Sequence, residues 1–425
     1  MKRSQCWARA GKIFTITMTT LVFALLLTST AGAQGNCKVL YSFEGTPDAG
    51  EPSGGLIFDA SGNLYGMTTG GGVPDCPDYN GCGTVYMLVF NSDGSWTESV
   101  LHSFTGKEDG ATPWVTSLTF DKVGNLFGST FWGGGRGCAA NYGCGTLFML
   151  MPIGDGNWSE TVLHNFSGAT DGANPAGNVM FDTAGNLFGT AELGGTYGDG
   201  VAFTATLSDG KWAGRILHTF KGGKDGAQVV SGFTMDTQGN LYGTARYGGG
   251  YGAGVVFEGT PTPNGWSTSV IYQFKGGVDG STPQGSLIIG NDGSLYGMTR
   301  AGGGSCDCGT VFRLTQEPNG HWTKETLHTF NGNDGSTPWA GVVTDWEGNL
   351  YGTTYYGGTG PAGVVFELTQ NIDGTWTETV LHNFAGAEDG GNPQAAVSLD
   401  PQGNIYGTTR YGGAYGHGVV FEITP

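Results

Sequence analysis

Between Pro113 and Phe166 hydrophobic and polar positions alternate in four short runs, cut by turns rich in Gly, Asn and Asp. Ser117 to Asp121 reads as a first strand, Lys122 to Asn125 as a tight hairpin, and Asn125 to Thr130 as a second strand. A Gly-rich loop leads to a third strand, Gly145 to Leu150. Asp155 to Asn157 then turns the chain into a fourth, Trp158 to Phe166. Asx side chains and glycine supply the turn conformations, while β-branched and aromatic residues fill the runs between them. No helical period appears outside the first 33 residues.

The unit recurs. GNLYG begins at Gly62, Gly239 and Gly348, GNLFG at Gly124 and Gly185, GSLYG at Gly293 and GNIYG at Gly403, in steps of 62, 61, 54, 54, 55 and 55 residues. Seven copies of a four-stranded antiparallel unit predict an all-β fold, a seven-bladed β-propeller. Six copies end in a strand opened by Trp96, Trp158, Trp212, Trp266, Trp322 or Trp376, but the seventh stops at Phe421 to Pro425, one strand short. Val39 to Phe43 matches Val100 to Phe104 and Val380 to Phe384, so the N-terminal strand is expected to close the last blade. With strands lettered a to d outward from the axis, the a–b and c–d hairpins share one face. The b–c loops and d-to-a crossovers share the other, here called the top.

The ends and the composition narrow the setting. Lys2, Arg3, Arg9 and Lys12 precede an apolar run, Ile13 to Leu27, and a small-residue cleavage pattern at Ala31 to Ala33. Residues 1–33 therefore read as a cleaved export signal, too short and too threonine-rich for a membrane span, and residues 34–425 as one propeller domain. Cys37 follows Gln34-Gly35-Asn36, which argues against lipid attachment there. Removing the four cations of the leader leaves 14 Lys and Arg against 36 Asp and Glu, a net of −22. That field disfavours nucleic acid and anionic lipid as partners and predicts no membrane insertion after cleavage. The 82 glycines show no every-third-residue period, which excludes collagen.

The unit P-x-x-x-x-L-x-x-D-x-x-G-N-L-Y-G-T-T-x-x-G-G, followed by G-x-G-V-V-F and G-x-W-T-x-x-V-L-H-x-F, resembles the tandem repeat of the GloVer-containing bacterial exported proteins. The resemblance covers essentially the whole chain after the leader. The D-x-x-G-N-L-Y hairpin is also similar to NHL-type and gluconolactonase-type propellers, and the Gly-Gly pair followed by Trp to kelch blades. The GloVer resemblance implies an exported repeat array with interchangeable C-terminal anchors and no stated activity. This chain shows no anchor segment after its last strand, which is expected to favour a soluble product.

Several residue sets look like chemistry. Asp48, Asp109, Asp171, Asp225, Asp279, Asp334 and Asp389 recur in the crossovers, where a ring of carboxylates would suit a cation; followed by Gly in six copies, they read as turn residues. Asp59, Asp121, Asp182, Asp236, Asp345 and Asp400 cap the a–b hairpins, with Gly290 in their place in the fifth copy. His102, His164, His218, His328 and His382 share one strand-d position with Tyr41 and Tyr272 and read as polar packing between blades. His417 is the histidine outside that pattern in the top loops, a candidate general base with no assignable partner. The Gly-Gly loops lack the strand–glycine–helix context and the lysine of a phosphate cradle. The sequence implies no cofactor and no metal. Cys76 and Cys82, and likewise Cys138 and Cys144, sit in equivalent b–c loops and are expected to form two disulfides. Cys306 and Cys308 are their counterpart in the fifth blade, where a bond across one residue is strained, and the pairing stays open. Cys37 is the odd thiol.

Positions that the repeat leaves variable carry the functional expectation. Three residues past the pentapeptide the chain reads Thr69, Phe131, Glu192, Arg246, Arg300, Tyr355 and Arg410. The next position reads Gly70, Trp132, Leu193, Tyr247, Ala301, Tyr356 and Tyr411. After the crossover proline position come Ser53, Trp114, Ala176, Val230, Gln284, Trp339 and Gln394. From these, Trp114, Trp132, Arg246, Tyr247, Arg300, Trp339, Tyr355, Tyr356, Arg410 and Tyr411 are expected to form a ligand-binding surface on the top face. Aromatic faces beside guanidinium and amide groups suit stacking on sugar rings or a cation–π contact. The expectation is an exported binding module, extracellular, at the cell surface or periplasmic, for a glycan or a surface protein. The alternatives are a hydrolase or lyase at the channel mouth, using Glu192 or His417, and a passive envelope protein.

Overall fold

The computed structural model describes residues 36–425, apart from 75, 77–79, 136, 139–141 and 264. The leader expected at residues 1–33 lies outside the described residues. Seven small antiparallel sheets stand in a ring. In blade 1 strand b is Leu64–Gly71, strand c Thr84–Phe90 and strand d Trp96–Ser103. Strand a is broken into Ala49–Pro52 and Ile57–Phe58, both paired with strand b. In blade 2, strand a shrinks to Thr119–Phe120, shorter than the run from Ser117 that the alternation predicts. The reason lies at the axis. There the backbone of each strand a abuts that of a neighbouring blade: a Cβ on Gly54 would meet the carbonyl oxygen of Thr116, and one on Gly285 the amide of Gly341. Chain-to-chain packing across blades displaces sheet pairing over these residues.

The pentapeptide explains itself through packing. Its last glycine lies under the aromatic residue of strand c; a Cβ on Gly66 would strike the Tyr86 ring, and one on Gly407 the Phe421 ring. Its aromatic residue meets the strand-d tryptophan of the next blade, as in Tyr65 with Trp158 (6.3 Å), Phe127 with Trp212 (5.5 Å) and Tyr242 with Trp322 (5.9 Å). Such pairs contribute about 0.5–1.5 kcal/mol beyond the area they bury. The hairpin aspartate holds the turn: Asp59 Oδ1 accepts from the amides of Ser61 and Asn63, and Oδ2 from Asn63 Nδ2 and Tyr65 Oη. Where Gly290 replaces that aspartate, Asp292 takes over, accepting from the amide and hydroxyl of Ser294 at 2.9 Å each. The fifth copy therefore reads GSLYG rather than GNLYG.

The ring closes on its N-terminal strand. Strand d of blade 7 is Asn36–Ser42, antiparallel to strand c, Val419–Thr424, with Val39 opposite Phe421 and Tyr41 opposite Val420. Phe43 is fully buried and its amide donates to Gly418 O at 3.0 Å, whereas Val39, Leu40 and Tyr41 are half-buried. The closure is anchored chiefly by one ring and a ladder of backbone bonds.

Candidate functional site

The top face is organised by a position that the variable-residue reading passes over. Immediately before the crossover proline position stand Glu51, Thr112, Asn174, Gln228, Thr282, Thr337 and Asn392, one per blade, all with φ between +52° and +59°. Left-handed backbone favours glycine, and in other residues costs on the order of 1–3 kcal/mol. Yet all seven are polar and none is glycine. Each amide donates to a carbonyl of the preceding blade's b–c loop, from Glu51 to His417 O at 2.7 Å to Gln228 to Asp199 O at 3.0 Å. Their side chains then reach back as well: Asn174 Nδ2 donates to Phe131 O (2.8 Å) and Asn392 Nδ2 to Tyr355 O (2.9 Å). The legible signal was a residue before the proline position that is polar in every copy.

These latches set the mouth of the axial channel. Trp114 of blade 2 and Trp339 of blade 6, three blades apart, meet edge-to-face at 6.0 Å, so their rings cross the axis. Beneath them runs a cavity of about 180 Å³ lined by the innermost segment of all seven blades, including Val115 and Ala340, their chain neighbours. Trp114 continues onto Phe131 (5.0 Å), and Phe131 onto Trp132 (4.9 Å), over a small apolar cluster with Ala176 and Val230. On the other side Trp339 contacts Tyr355 (5.7 Å), which contacts Tyr356 (4.6 Å). The Arg300 guanidinium lies 4.4 Å above the Trp339 ring.

Charges at the mouth are mostly paired. Arg246 Nη1 donates to Glu192 Oε1 at 3.1 Å, with both side chains about nine-tenths buried, and Arg410 Nη2 donates to Glu51 Oε2 at 3.2 Å. Burial pushes the Glu192 carboxyl up and the Arg246 charge draws it back, leaving it above the ordinary range. Several deeply buried polar atoms here have no partner among the described residues: Trp339 Nε1, Gln284 Oε1, Gln394 Oε1, Glu192 Oε2, Arg246 Nε and Arg410 Nε. Gln284 and Gln394 are 2% and 1% exposed. A buried unmet donor or acceptor costs about 1–3 kcal/mol, so these atoms leave the mouth under strain that a partner would relieve.

The ten expected contact residues thus fall into two tiers. Arg246 is buried, and Trp114, Trp132, Arg300, Trp339, Tyr355 and Arg410 are half-buried, with Trp339 touching Trp114, Tyr355 and Arg300. Tyr247, Tyr356 and Tyr411 stand on the rim, 43%, 50% and 38% exposed. They are not free loop positions: the backbone pairs Tyr247 with Ala227, Tyr356 with Ser336 and Tyr411 with Gly391 in each crossover. The candidate base His417 packs its ring against Gly45, and among the described residues that ring makes no hydrogen bond or ion pair.

The crossover aspartates prove to be partners of the strand-d histidines and tyrosines. Asp171, Asp225 and Asp389 lie 3.0–3.1 Å from the Nε2 of His164, His218 and His382. Asp48 and Asp279 accept from Tyr41 (3.2 Å) and Tyr272 (2.7 Å). A third group comes from strand d of the next blade. Glu160 faces His102 and Asp109, Glu378 faces His328 and Asp334, and Lys324 pairs with Asp279 at 3.2 Å. In the two blades that receive a glutamate beside a histidine, the His–Asp distance widens to 3.4 Å. His328, Asp334 and Glu378 place their ligand atoms within 4.8 Å of one another, a set that could hold a metal ion. Its histidine–aspartate part recurs around the ring, and the glutamate comes from the next blade, so the set reads first as a blade-to-blade contact. Where blade 3 offers only Gly214, a cavity of about 150 Å³ opens beside His164, Asp171 and Trp212.

In the b–c loops Cys76 is bonded to Cys82, Cys138 to Cys144, and Cys306 to Cys308; Cys37 is free and half-buried. Burial, with the charge of Asp389, pushes the Cys37 thiol up to about 12, so it is inert at neutral pH. No helix among the described residues is long and apolar enough to cross a membrane.

Among known proteins, the Gloeobacter/Verrucomicrobia repeat matches residues 77–307 and 287–425. No curated protein matches the chain. Similar solved structures include a protein of unknown function from Dyadobacter fermentans, at 12% identity over 80% of this chain and 96% of that one, TM-score 0.45. A putative 6-phosphogluconolactonase from Bacteroides uniformis shares 16% identity over 76% of this chain and 84% of that one, TM-score 0.48. PorZ, a bacterial surface component of the type-IX secretion system of Porphyromonas gingivalis, shares 14% identity over 87% of this chain, TM-score 0.48, and the match spans 46% of that longer chain.

Proposed function

We propose that this chain, which belongs to the Gloeobacter/Verrucomicrobia repeat family, is an exported binding module that takes a saccharide at the top mouth of its channel. The observation that carries the reading is the Trp114–Trp339 pair across the axis, ringed by buried polar atoms without partners. A sugar ring offers what such a surface lacks, an apolar C–H face for the aromatic rings and a rim of hydroxyls that donate and accept. Export is supported by the three disulfides, bonds that persist in oxidising compartments.

A glycan array on the purified protein, followed by calorimetric titration of the hits, tests the reading. Trp339→Ala is expected to weaken binding by about 1–3 kcal/mol, the scale of a truncated aromatic hot spot. If no glycan binds, or if Trp339→Ala and Trp114→Ala bind like the parent while remaining folded, the mouth is not a saccharide site.

A further inference from the structure

We infer that the saccharide is acidic, and that Arg300 receives its carboxylate; this rests on the saccharide reading above and adds the ligand's charge class to it. Five charged side chains converge on the mouth, and they do not balance. Arg246 is matched by Glu192 and Arg410 by Glu51. Arg300 has neither ion pair nor hydrogen bond among the described residues; its guanidinium carbon lies 4.4 Å from the centre of the Trp339 ring. The mouth therefore carries one unmatched cation, in a chain whose net charge after the leader is −22.

That cation is costly as it stands. Arg300 is half-buried, and both desolvation and the nearby Arg246 charge work against its charged form. A cation–π contact returns about 0.5–2 kcal/mol but satisfies none of the five N–H donors, which lie in the guanidinium plane. The contact with the Trp339 face leaves those N–H donors without partners among the described residues. Such a planar fork is matched by a carboxylate, which accepts two parallel N–H bonds. A monoanion neutralises the excess; a dianion such as a phosphate monoester would overshoot it beside Glu51 and Glu192.

The rest of the mouth favours a sugar over a peptide as the bearer of that carboxylate. Blades 5, 6 and 7 carry Gln284, Trp339 and Gln394 at one position, with Gln284 Oε1, Trp339 Nε1 and Gln394 Oε1 all unmet. Blades 2, 3 and 4 carry Trp114, Ala176 and Val230 there, an apolar wall. A uronic acid ring fits this division, with its C–H face toward Trp114 and its carboxylate toward Arg300. A peptide would bring backbone amides to the apolar wall and leave them unpaired.

The test titrates the purified protein with trisaccharides of galacturonate, glucuronate and mannuronate, each beside its methyl ester, which keeps the ring and hydroxyls but removes the charge. At least one free acid is expected to bind ten times or more tighter than its ester. In Arg300→Met that ratio is expected to fall to about one, and Arg300→Lys, a point charge without the fork, to recover only part of it. Thermal melts check that the variants are folded. A ratio near one in the parent, or a ratio untouched by Arg300→Met, overturns the carboxylate assignment and leaves the saccharide reading standing. Neutral trisaccharides that bind where the acids do not overturn it too. If acids, esters and neutral sugars all fail, and a peptide with a free C-terminal carboxylate binds instead, both readings fall.

Discussion

At the scale of single residues, the same amino acid does different work according to whether the repeat fixes its position. Tyr351 belongs to the sevenfold set: it is buried, and its hydroxyl shares its one proton between Asp345 Oδ2 (3.1 Å) and Glu367 Oε1 (3.0 Å). Tyr356, five residues on, is half exposed. Tyr351→Ala is expected to cost about 3–5 kcal/mol of stability, the range for emptying a buried aromatic site. Tyr356→Ala should leave stability within about 0.5 kcal/mol and lower saccharide affinity instead. Denaturant unfolding and calorimetric titration of the two variants check the division, and the reverse pattern would refute it. The variable positions could be picked out of the sequence because the repeat supplies its own background. Their pairing could not: Glu192 finds Arg246 54 residues away and Glu51 finds Arg410 359 residues away. Nothing local to Trp114 says that its ring crosses the axis to Trp339. The aspartate–histidine partnership was equally hidden, because each set, taken alone, looks like repeat furniture.

Between elements, the blade interface has its own pH response. Burial raises the Glu98 carboxyl to about 8 and those of Glu160 and Glu378 to about 7, from 4.5. A carboxyl raised on folding binds its proton more tightly in the native state, so its contribution is whole below pH 4.5 and is lost as pH rises through 7 to 8. Asp109 and Asp334 run the other way. Burial pushes both up, but the histidine and amide donors outweigh it and hold them below 3.8, so their contribution fails only in strong acid. The melting temperature is therefore expected to fall between pH 5 and pH 8. Glu160→Gln and Glu378→Gln, neutral at every pH, should flatten that slope, and melts across the range decide it; an unchanged slope in the double variant would remove these two carboxyls as its cause. The loop disulfides act more locally. Cys76–Cys82 closes a seven-residue loop worth about 2 kcal/mol in the chain-entropy model and packs against Gly106 of the following crossover. Replacing both cysteines by serine is expected to lower stability by about that amount without opening the ring, as read by unfolding and by an unchanged far-ultraviolet spectrum. The strands and turns were legible here because each obeys local chemistry; the shortened strand a was not, because backbone contact across the axis overrides it.

At the scale of the whole molecule, the seam between residues 36–42 and 419–424 holds the circle. Phe43→Ala is expected to cost about 3–5 kcal/mol, because that side chain, directly after the closing strand, is fully buried. Starting the chain at Glu44 should cost more, leaving protein that aggregates or melts far lower; an unchanged melting temperature would rule out closure by this strand. The seam also orders events in time. The strand that finishes the seventh sheet precedes the intervening blades in the chain and its partner follows them, so the segment waits, unpaired, while those blades are synthesised. Loop closure over such a span is slow, and the waiting edge is a hazard. A polypeptide broken off before Val419–Thr424 lacks that partner and cannot seal, and it keeps open strand edges. Biogenesis thereby acquires a checkpoint: only a chain translated through Val419–Thr424 becomes a ring.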